Sequence, residues 1–519
     1  MRKLVKKYLP LLIFLISLSS FTFLFFIQRH FMTNFDEYDH LAAGFLMKNG
    51  WRLYRDIFSH HFPFPYYWIR LFTPFWKPET FARTISIFRM SLVVLYLFSF
   101  TSIFLSFKNK KSKVAFCLWI IILGIFASLY HGNLILSETF SALAIFSLFW
   151  LILPIILGWE KPSFYKSALG VIFSFVGFWT QPLLLILVLL PTLISPPQKK
   201  LRILTITLFV NFLPLIYFSI SGQLKDFVEE GLWFNFRIYP RYYYELETVY
   251  SKSQPLQYLI SFIKTESYLL THFFDFHQSL QFIFNLSIIL LAIKVFLKRS
   301  WQFSLAFLII LLSSRAREIK IIPGKIFNFG IFPFLTIASA SSIILAINYY
   351  KKYKLFSCIF IILLIFISSI CVRPIVNQSL KPGYNYHVFW SYRQENGEII
   401  NTLSRAGEKV LVYPHDVDLY FFAQRQPLDR FLYWFPWINS VNKYRQERYL
   451  AIKKEKPPVI YSGDLRFKED PDYYSQFFPG LLNGYSQIAK NGQPTNIWLR
   501  DDLKQRIKAP YSLFTTNKK

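Results

Sequence analysis

The chain has 519 residues, 54% hydrophobic, 20% aromatic and only 17% charged, with a mean hydropathy of +0.33. Soluble globular chains carry about a quarter charged residues, so an ordinary cytosolic enzyme is excluded, as is disorder; Cys117, Cys358 and Cys371 all lie inside apolar runs, which excludes a disulfide scaffold. The 58 basic residues outnumber 29 acidic ones (net +29), but many cations stand in short clusters between apolar runs, the mark of a polytopic membrane protein without a nucleic-acid partner.

In chain order, MRKLVKKY leads into an apolar run from Leu9 to Ile27 that is long enough to span a bilayer. No convincing small-x-small cleavage site follows, so this run is expected to be an uncleaved anchor with a cytoplasmic N-terminus. Further spans are expected at 84–107, 114–130, 135–157, 203–220, 278–297, 301–314, 326–347 and 355–372. Between them lie the basic clusters Lys108–Lys113, Lys161–Lys166, Lys199–Arg202, Lys294–Arg299 and Lys351–Lys354, which the positive-inside rule makes cytoplasmic. The stretch 167–195, with Thr180-Gln181-Pro182 at its centre, suits one long helix or two short ones. A single helix would put Lys199–Arg202 outside, whereas a hairpin of two short, Gly- and Pro-interrupted segments keeps every basic cluster inside. The count is then about 11 membrane segments. Broken segments of this kind line a cavity, because lipid does not tolerate unpaired backbone.

This parity leaves 28–83, 221–277 and the short loop 315–325 on the outer face, with the C-terminus outside. Residues 1–372 read as a transmembrane domain and 373–519, of ordinary polarity, as an extracytoplasmic α/β domain. In the tail, strands are expected at Lys409–Tyr413, Phe431–Trp434 and Val459–Tyr461, and helices at Val417–Gln424 and Arg445–Lys454. The piece 221–277 is crowded with aromatics, among them Trp233, Phe234, Phe236 and Tyr239, which suits a segment at headgroup level.

The first outer loop carries Phe35-Asp36-Glu37-Tyr38-Asp39-His40, then Gly50-Trp51-Arg52-Leu53-Tyr54-Arg55-Asp56, then His60-His61-Phe62-Pro63. Carboxylate, guanidinium and imidazole are concentrated here in an otherwise apolar protein. Sugar transfer from a polyprenyl phosphate needs this mixture. One carboxylate deprotonates the acceptor hydroxyl, and cations stabilise the phosphate as it leaves. A glycoside hydrolase would need a matched pair of carboxylates instead.

The Asp-Glu pair just after the first span, followed by Tyr54-Arg55-Asp56 and His61-Phe62-Pro63, resembles the GT-C superfamily of membrane glycosyltransferases, notably the protein O-mannosyltransferases, the lipid A aminoarabinose transferase and bacterial RgtA/B/C/D-like proteins. Leu136-Ser137-Glu138 opening the fourth span is similar too. So are the cations from Arg315 to Lys325 ahead of Ile326-Phe327-Asn328-Phe329, and Asp418-Leu419-Tyr420 with Gln424-Arg425-Gln426-Pro427 in the tail. Two departures stand out: Ile322-Pro323-Gly324-Lys325 where a His-Tyr pair is common, and Gln181 where many relatives carry lysine.

The resemblance implies a GT-C-like fold, with Asp36 as catalytic base and Glu37 shaping the same site. Glu37 equally reads as an acid in the first turn of a following helix. Arg55 is a donor-phosphate clamp or a snorkelling interfacial cation. Arg315, Arg317 and Lys325 sit outside on this topology, against the inside rule, and call for an anionic partner such as a lipid phosphate. Tyr54, Asp56, His61 and Glu138 complete the candidates. His60 and His61 lack a further ligand at metal spacing, so no metal site is assigned, although a divalent ion is compatible with the chemistry. The expected function is inverting transfer of a sugar from a polyprenyl-phosphate donor to a glycan, lipid or protein hydroxyl at the outer face of the cell membrane. A lipid-linked-sugar transporter and a glycan polymerase or ligase are the alternatives.

Overall fold

The computed structural model describes residues 2–29, 31, 34–73, 81–238, 276–298, 300–315, 331–380, 391–414, 416–463 and 480–514. In lipid a backbone must satisfy its own hydrogen bonds, so long apolar runs form helices. Among the described residues eight helices are long and apolar enough to cross a membrane. They are α1 (Arg2–Gln28), α4 (Phe81–Ser106), α5 (Lys110–Phe126), α6 (Ser137–Ile156), α8 (Lys200–Ile220), α9 (Phe276–Lys298), α11 (Phe332–Tyr349) and α12 (Lys354–Ser379). Three shorter apolar helices fall between them: α7 (Phe164–Thr180), the 3₁₀-rich segment Pro182–Leu193 and α10 (Trp301–Ser313). Together these match the eleven expected segments in order.

The hairpin in 167–195 breaks at its expected centre. α7 ends at Thr180, Gln181 is extended (φ −145°, ψ 128°), and Pro182 starts the return without a backbone N–H. Every residue of α6 is buried, which makes it the axis of the bundle. α5 and α11 are tied by the Trp119 indole, which donates to the Thr336 carbonyl at 3.0 Å and to Ser339 Oγ at 3.1 Å. At the outer rim α1, α8 and α12 expose Leu12, Ile16, Phe209, Ile216, Ile362 and Phe366, side chains suited to lipid.

The basic clusters meet at one end of the bundle. Glu160 accepts from the backbone N–H groups of Lys108 and Asn109 and pairs with Lys166 at 2.9 Å, both side chains 2% exposed. Arg202 lies over the Phe164 ring at 5.2 Å, and Lys294 over Tyr349 at 4.9 Å. The opposite end carries two helices outside the spans, α2 (Phe35–Lys48) and α3 (Phe64–Phe72), and a π-helix, Val228–Ile238.

The tail adds α13 (Ser391–Leu403), α14 (Asp418–Phe422), α15 (Asn442–Glu455) and a six-stranded sheet. Its strands are β1 (Lys409–Tyr413), β2 (Gln426–Pro427), β3 (Val459–Ser462), β4 (Tyr485–Lys490), β5 (Gln493–Arg500) and β6 (Tyr511–Leu513), in the order β2-β1-β3-β5-β4-β6. The first three run parallel, and β5, β4 and β6 pair antiparallel. One expected strand is corrected. Phe431–Trp434 is irregular, although its four side chains are all buried. Its backbone is used elsewhere: Phe431 N–H donates to Asp429 Oδ1, the Phe431 carbonyl accepts from Arg448, and Trp434 N–H donates to the Pro414 carbonyl.

α11 approaches the loop before α6 so closely that a Cβ on Gly132 would lie 2.2 Å from Phe332 Cζ. Gly132→Val should therefore force these elements apart at a cost of about 1–3 kcal/mol. The expected result is a lower thermal midpoint in detergent than for the wild type, read by tryptophan fluorescence.

Candidate active site

The site is built on the first turn of α2. Asn34 is its N-cap, accepting the Asp36 N–H on its side-chain oxygen at 2.9 Å. Asp36 and Glu37 follow in the turn where the helix dipole favours acids. Their environments diverge at once. Asp36 is half-buried, whereas Glu37 is fully buried and grips Arg89 of α4 with both oxygens, at 2.9 and 2.5 Å. Glu37 also accepts the Ile135 N–H at 3.1 Å. Arg89 donates further to the carbonyls of Arg29 and Phe31, and Asn133 donates to those of Gln28 and Phe31. One ion pair thus joins the exit of α1, the start of α2, the flank of α4 and the loop into α6.

One turn along the same helix, Asp39 is 1% exposed. Tyr66 of α3 donates to its Oδ2 at 2.5 Å, and the Tyr66 hydroxyl also meets Ser59 Oγ at 2.7 Å. Among the described residues, Asp39 Oδ1 has no hydrogen-bond partner. Burial pushes this carboxyl up to about 7; the Tyr66 hydrogen bond pulls it down and the nearby Asp36 charge pushes it up further. His40 packs edge-on against Tyr66, ring centroids 4.7 Å apart, and holds the Ile135 carbonyl through Nδ1 at 2.9 Å.

The tail closes over this end of the bundle through Arg430. Its guanidinium pairs with Glu230 of the π-helix and with Glu447 of α15 at 2.8 Å, and its carbonyl accepts the Phe58 N–H at 2.8 Å. Glu230 in turn accepts the Ser59 N–H at 3.0 Å; burial drives its carboxyl well above the usual range, and Arg430 opposes that shift. His60 Nδ1 meets the Tyr433 hydroxyl at 2.8 Å, and Phe35 packs edge-on against Tyr433 and Phe435. Arg393 lies over the Tyr38 ring while pairing with Asp416 and Asp418.

The other sequence candidates are more dispersed. Tyr54 is fully buried, edge-on to Phe218 and Phe227, with its hydroxyl on the His61 carbonyl; its left-handed backbone (φ 69°) marks a tight turn. Asp56 closes that turn by accepting from the Arg52 N–H and Nε at 2.9 and 2.8 Å. Arg55 is exposed over Gly222, at the end of α8. The His61 ring lies 4.1 Å from His60 and 5.6 Å from His40. Glu138 is buried in the first turn of α6, 3.4 Å from the Gln181 amide in the break of the hairpin. Arg315 lies over Phe334 at 5.1 Å. Arg317 and Lys325 lie outside the described residues. Among the described residues no group of three His, Cys, Asp or Glu side chains is arranged to hold a metal ion.

No family model and no curated protein matches the chain. Solved structures do. The oligosaccharyltransferase of Archaeoglobus fulgidus, tethered to an acceptor peptide, aligns over 98% of this chain and 76% of its own at 13% identity with a TM-score of 0.52. Its apo form, at 13% identity, and its complex with an inhibitory peptide and a dolichol-phosphate, at 15%, cover the same shares at TM-scores of 0.46. The fold is of the GT-C type. In this GT-C fold the loop between α1 and α4, the hairpin break and the tail meet at one end of the bundle.

Two residues of the site escaped the sequence reading although each left a signal. Arg89 is a lone arginine in an apolar span, which by itself demands a buried partner. Asp39 stands three residues after Asp36, on the same helix face. Breaking the Arg89–Glu37 pair from either side strands a buried charge, at a cost of about 3–5 kcal/mol. Glu37→Gln and Arg89→Met should each lower the thermal midpoint in detergent markedly, while the double variant Glu37→Leu/Arg89→Met should recover most of the loss.

Proposed function

We propose that this protein is an inverting glycosyltransferase that moves a sugar from a polyprenyl-phosphate donor to an acceptor hydroxyl at the outer membrane face, with Asp36 as the base. One placement carries the reading: Asp36 is the half-buried carboxylate on a helix turn immobilised by the Arg89–Glu37 pair, within a GT-C fold. Such a carboxylate takes the proton of the acceptor hydroxyl as its oxygen bonds to the sugar carbon, and the bond from that carbon to the phosphate oxygen breaks. The lipid monophosphate leaves with the electron pair. Glu37, bound on both oxygens, acts by orienting this turn.

A groove between α9, α10 and α11 supports the lipid-linked donor. It has a volume of about 440 Å³ and is lined by Ile288, Ala292, Phe296, Leu311 and Phe334, with Arg315 as its cation. An isoprenoid chain suits the apolar walls, and a phosphate suits the guanidinium. Arg317 and Lys325, next in the same loop, are assigned to the phosphate with Arg315. Arg55, Tyr54, Asp56, His61 and Glu138 are assigned to shaping the surrounding loops. The acceptor is a glycan, lipid or protein, and the peptide held by the archaeal protein of this fold favours a protein. The charged side chains of the described spans stand near helix ends, which favours an enzyme over a carrier working at mid-membrane. Residues 1–372 form the catalytic membrane domain and 373–519 an extracytoplasmic one, with the basic clusters facing the cytoplasm.

Asp36→Asn keeps size and polarity but cannot accept a proton. It should cut release of polyprenyl monophosphate by about 10²–10⁴-fold with the thermal midpoint unchanged, and Asp36→Glu should recover little. Turnover near the wild-type rate would remove the base from this loop. For sidedness, Lys199→Cys and Lys454→Cys, each placed in a background lacking Cys117, Cys358 and Cys371, should react with an impermeant maleimide from opposite faces of sealed vesicles. Labelling from the same face would overturn the topology.

A further inference from the structure

The buried carboxyl of Asp39 has no part in the transfer step as written, yet it lies beside the base. Asp36 and Asp39 are three residues apart on α2, so their Cβ atoms are neighbours, about 5–6 Å apart, on one helix face. One oxygen of Asp39 is held by Tyr66 at 2.5 Å; the other, among the described residues, meets no hydrogen-bond donor or acceptor. A buried carboxylate left half-satisfied is costly, and a proton on the open oxygen lowers that cost by removing the charge. We propose that Asp39, clamped by Tyr66, is a positioning carboxyl that stores a proton beside Asp36 and thereby sets the pH range in which this site admits a phosphate anion. The proposal rests on the donor reading above and deepens it.

The surroundings allow this assignment. On α2 itself Asp36 and His40 flank Asp39. α3 contributes Tyr66, and the loop before it contributes His60, His61 and Ser59, with Glu230 behind Ser59. The tail contributes Tyr433, bound to His60. The guanidinium of Arg89 is taken by Glu37, and that of Arg393 by Asp416 and Asp418. With its carboxyl raised to about 7, Asp39 exchanges its proton near neutrality. The sign follows from linkage. A phosphate bound nearby favours the neutral carboxyl, so proton and phosphate bind cooperatively. Affinity is then full below the Asp39 titration and falls as the pH rises through it. If bound phosphate raises that titration by about one unit, the fall is about tenfold.

The test uses the full chain in zwitterionic nanodiscs and two readouts. Infrared difference spectra, taken without lipid phosphate, should show a protonated-carboxyl band that disappears from about pH 6 to about pH 8 in the wild type. The band should be absent in Asp39→Asn, and in Tyr66→Phe it should persist to higher pH, because the hydrogen bond that favours the ionised form is gone. Undecaprenyl phosphate is the binding probe. Its own phosphate titrates identically with every variant, so the wild-type-to-variant ratio isolates Asp39. Wild-type affinity should fall about tenfold over this range relative to Asp39→Asn. A band that survives in Asp39→Asn, or no band near neutrality, overturns the stored proton. Parallel pH profiles for wild type and Asp39→Asn overturn the coupling to phosphate. Absence of probe binding by the wild type at every pH counts against the donor reading and takes the coupling with it, and it is distinguishable because the infrared band needs no lipid.

Discussion

The Arg89–Glu37 ion pair is the constraint on which the tail-bearing end of the bundle depends. Both side chains are fully buried, and a charge in so dry a place is tolerable only when matched and hydrogen-bonded on every side. Satisfying Arg89 uses Glu37 and the carbonyls of Arg29 and Phe31; satisfying Glu37 uses the Ile135 N–H as well. The groups come from three stretches that are far apart in sequence, residues 29–37, Arg89 and Ile135. The pair therefore does more than hold two helices together: it sets the position and direction of the turn that presents Asp36.

Three carboxylates within one helical turn are thereby given three characters by their surroundings. Glu37 is locked as an anion's half of an ion pair. Asp36, in the same turn, is half-buried. Asp39 is dry and held on one side only, by a phenol. Neighbouring acids placed in different environments need not behave alike. The tail contributes to that dryness, because Tyr433 and Phe435 lie against Phe35 and Tyr433 holds His60.

A second, partly buried charge network repeats this logic where the tail meets the loops of the bundle. Arg430 meets Glu230 and Glu447, its own carbonyl takes the Phe58 N–H, and Glu230 takes the Ser59 N–H. Loop, π-helix and tail thus share one guanidinium. The tail in this way completes the wall of the site and is not merely appended to the bundle. The irregular course of Phe431–Trp434 follows from the same junction, since its backbone groups serve Asp429, Arg448 and Pro414 instead of a neighbouring strand.

The membrane segments, the hairpin at Thr180-Gln181-Pro182, and β1, β3, α14 and α15 of the tail were legible in the sequence, because apolar length, alternation, proline and charge asymmetry act locally. The Asp36-Glu37 pair was visible just after the first span, and its likeness to the GT-C motif singled it out. What Glu37 and Arg89 do was not legible from either residue alone, since an arginine in an apolar helix announces that it needs a partner but not which one. Nor was Asp39, whose three-residue spacing from Asp36 was visible while its burial was not: Tyr66, Ser59 and Tyr433 come to it from other elements. The sequence by itself determined the apolar helices among the described residues and the loop in which charged and imidazole side chains are concentrated. Tertiary structure alone decided which carboxylate is locked, which is open and which is dry, because desolvation depends on segments that meet only when the chain is folded.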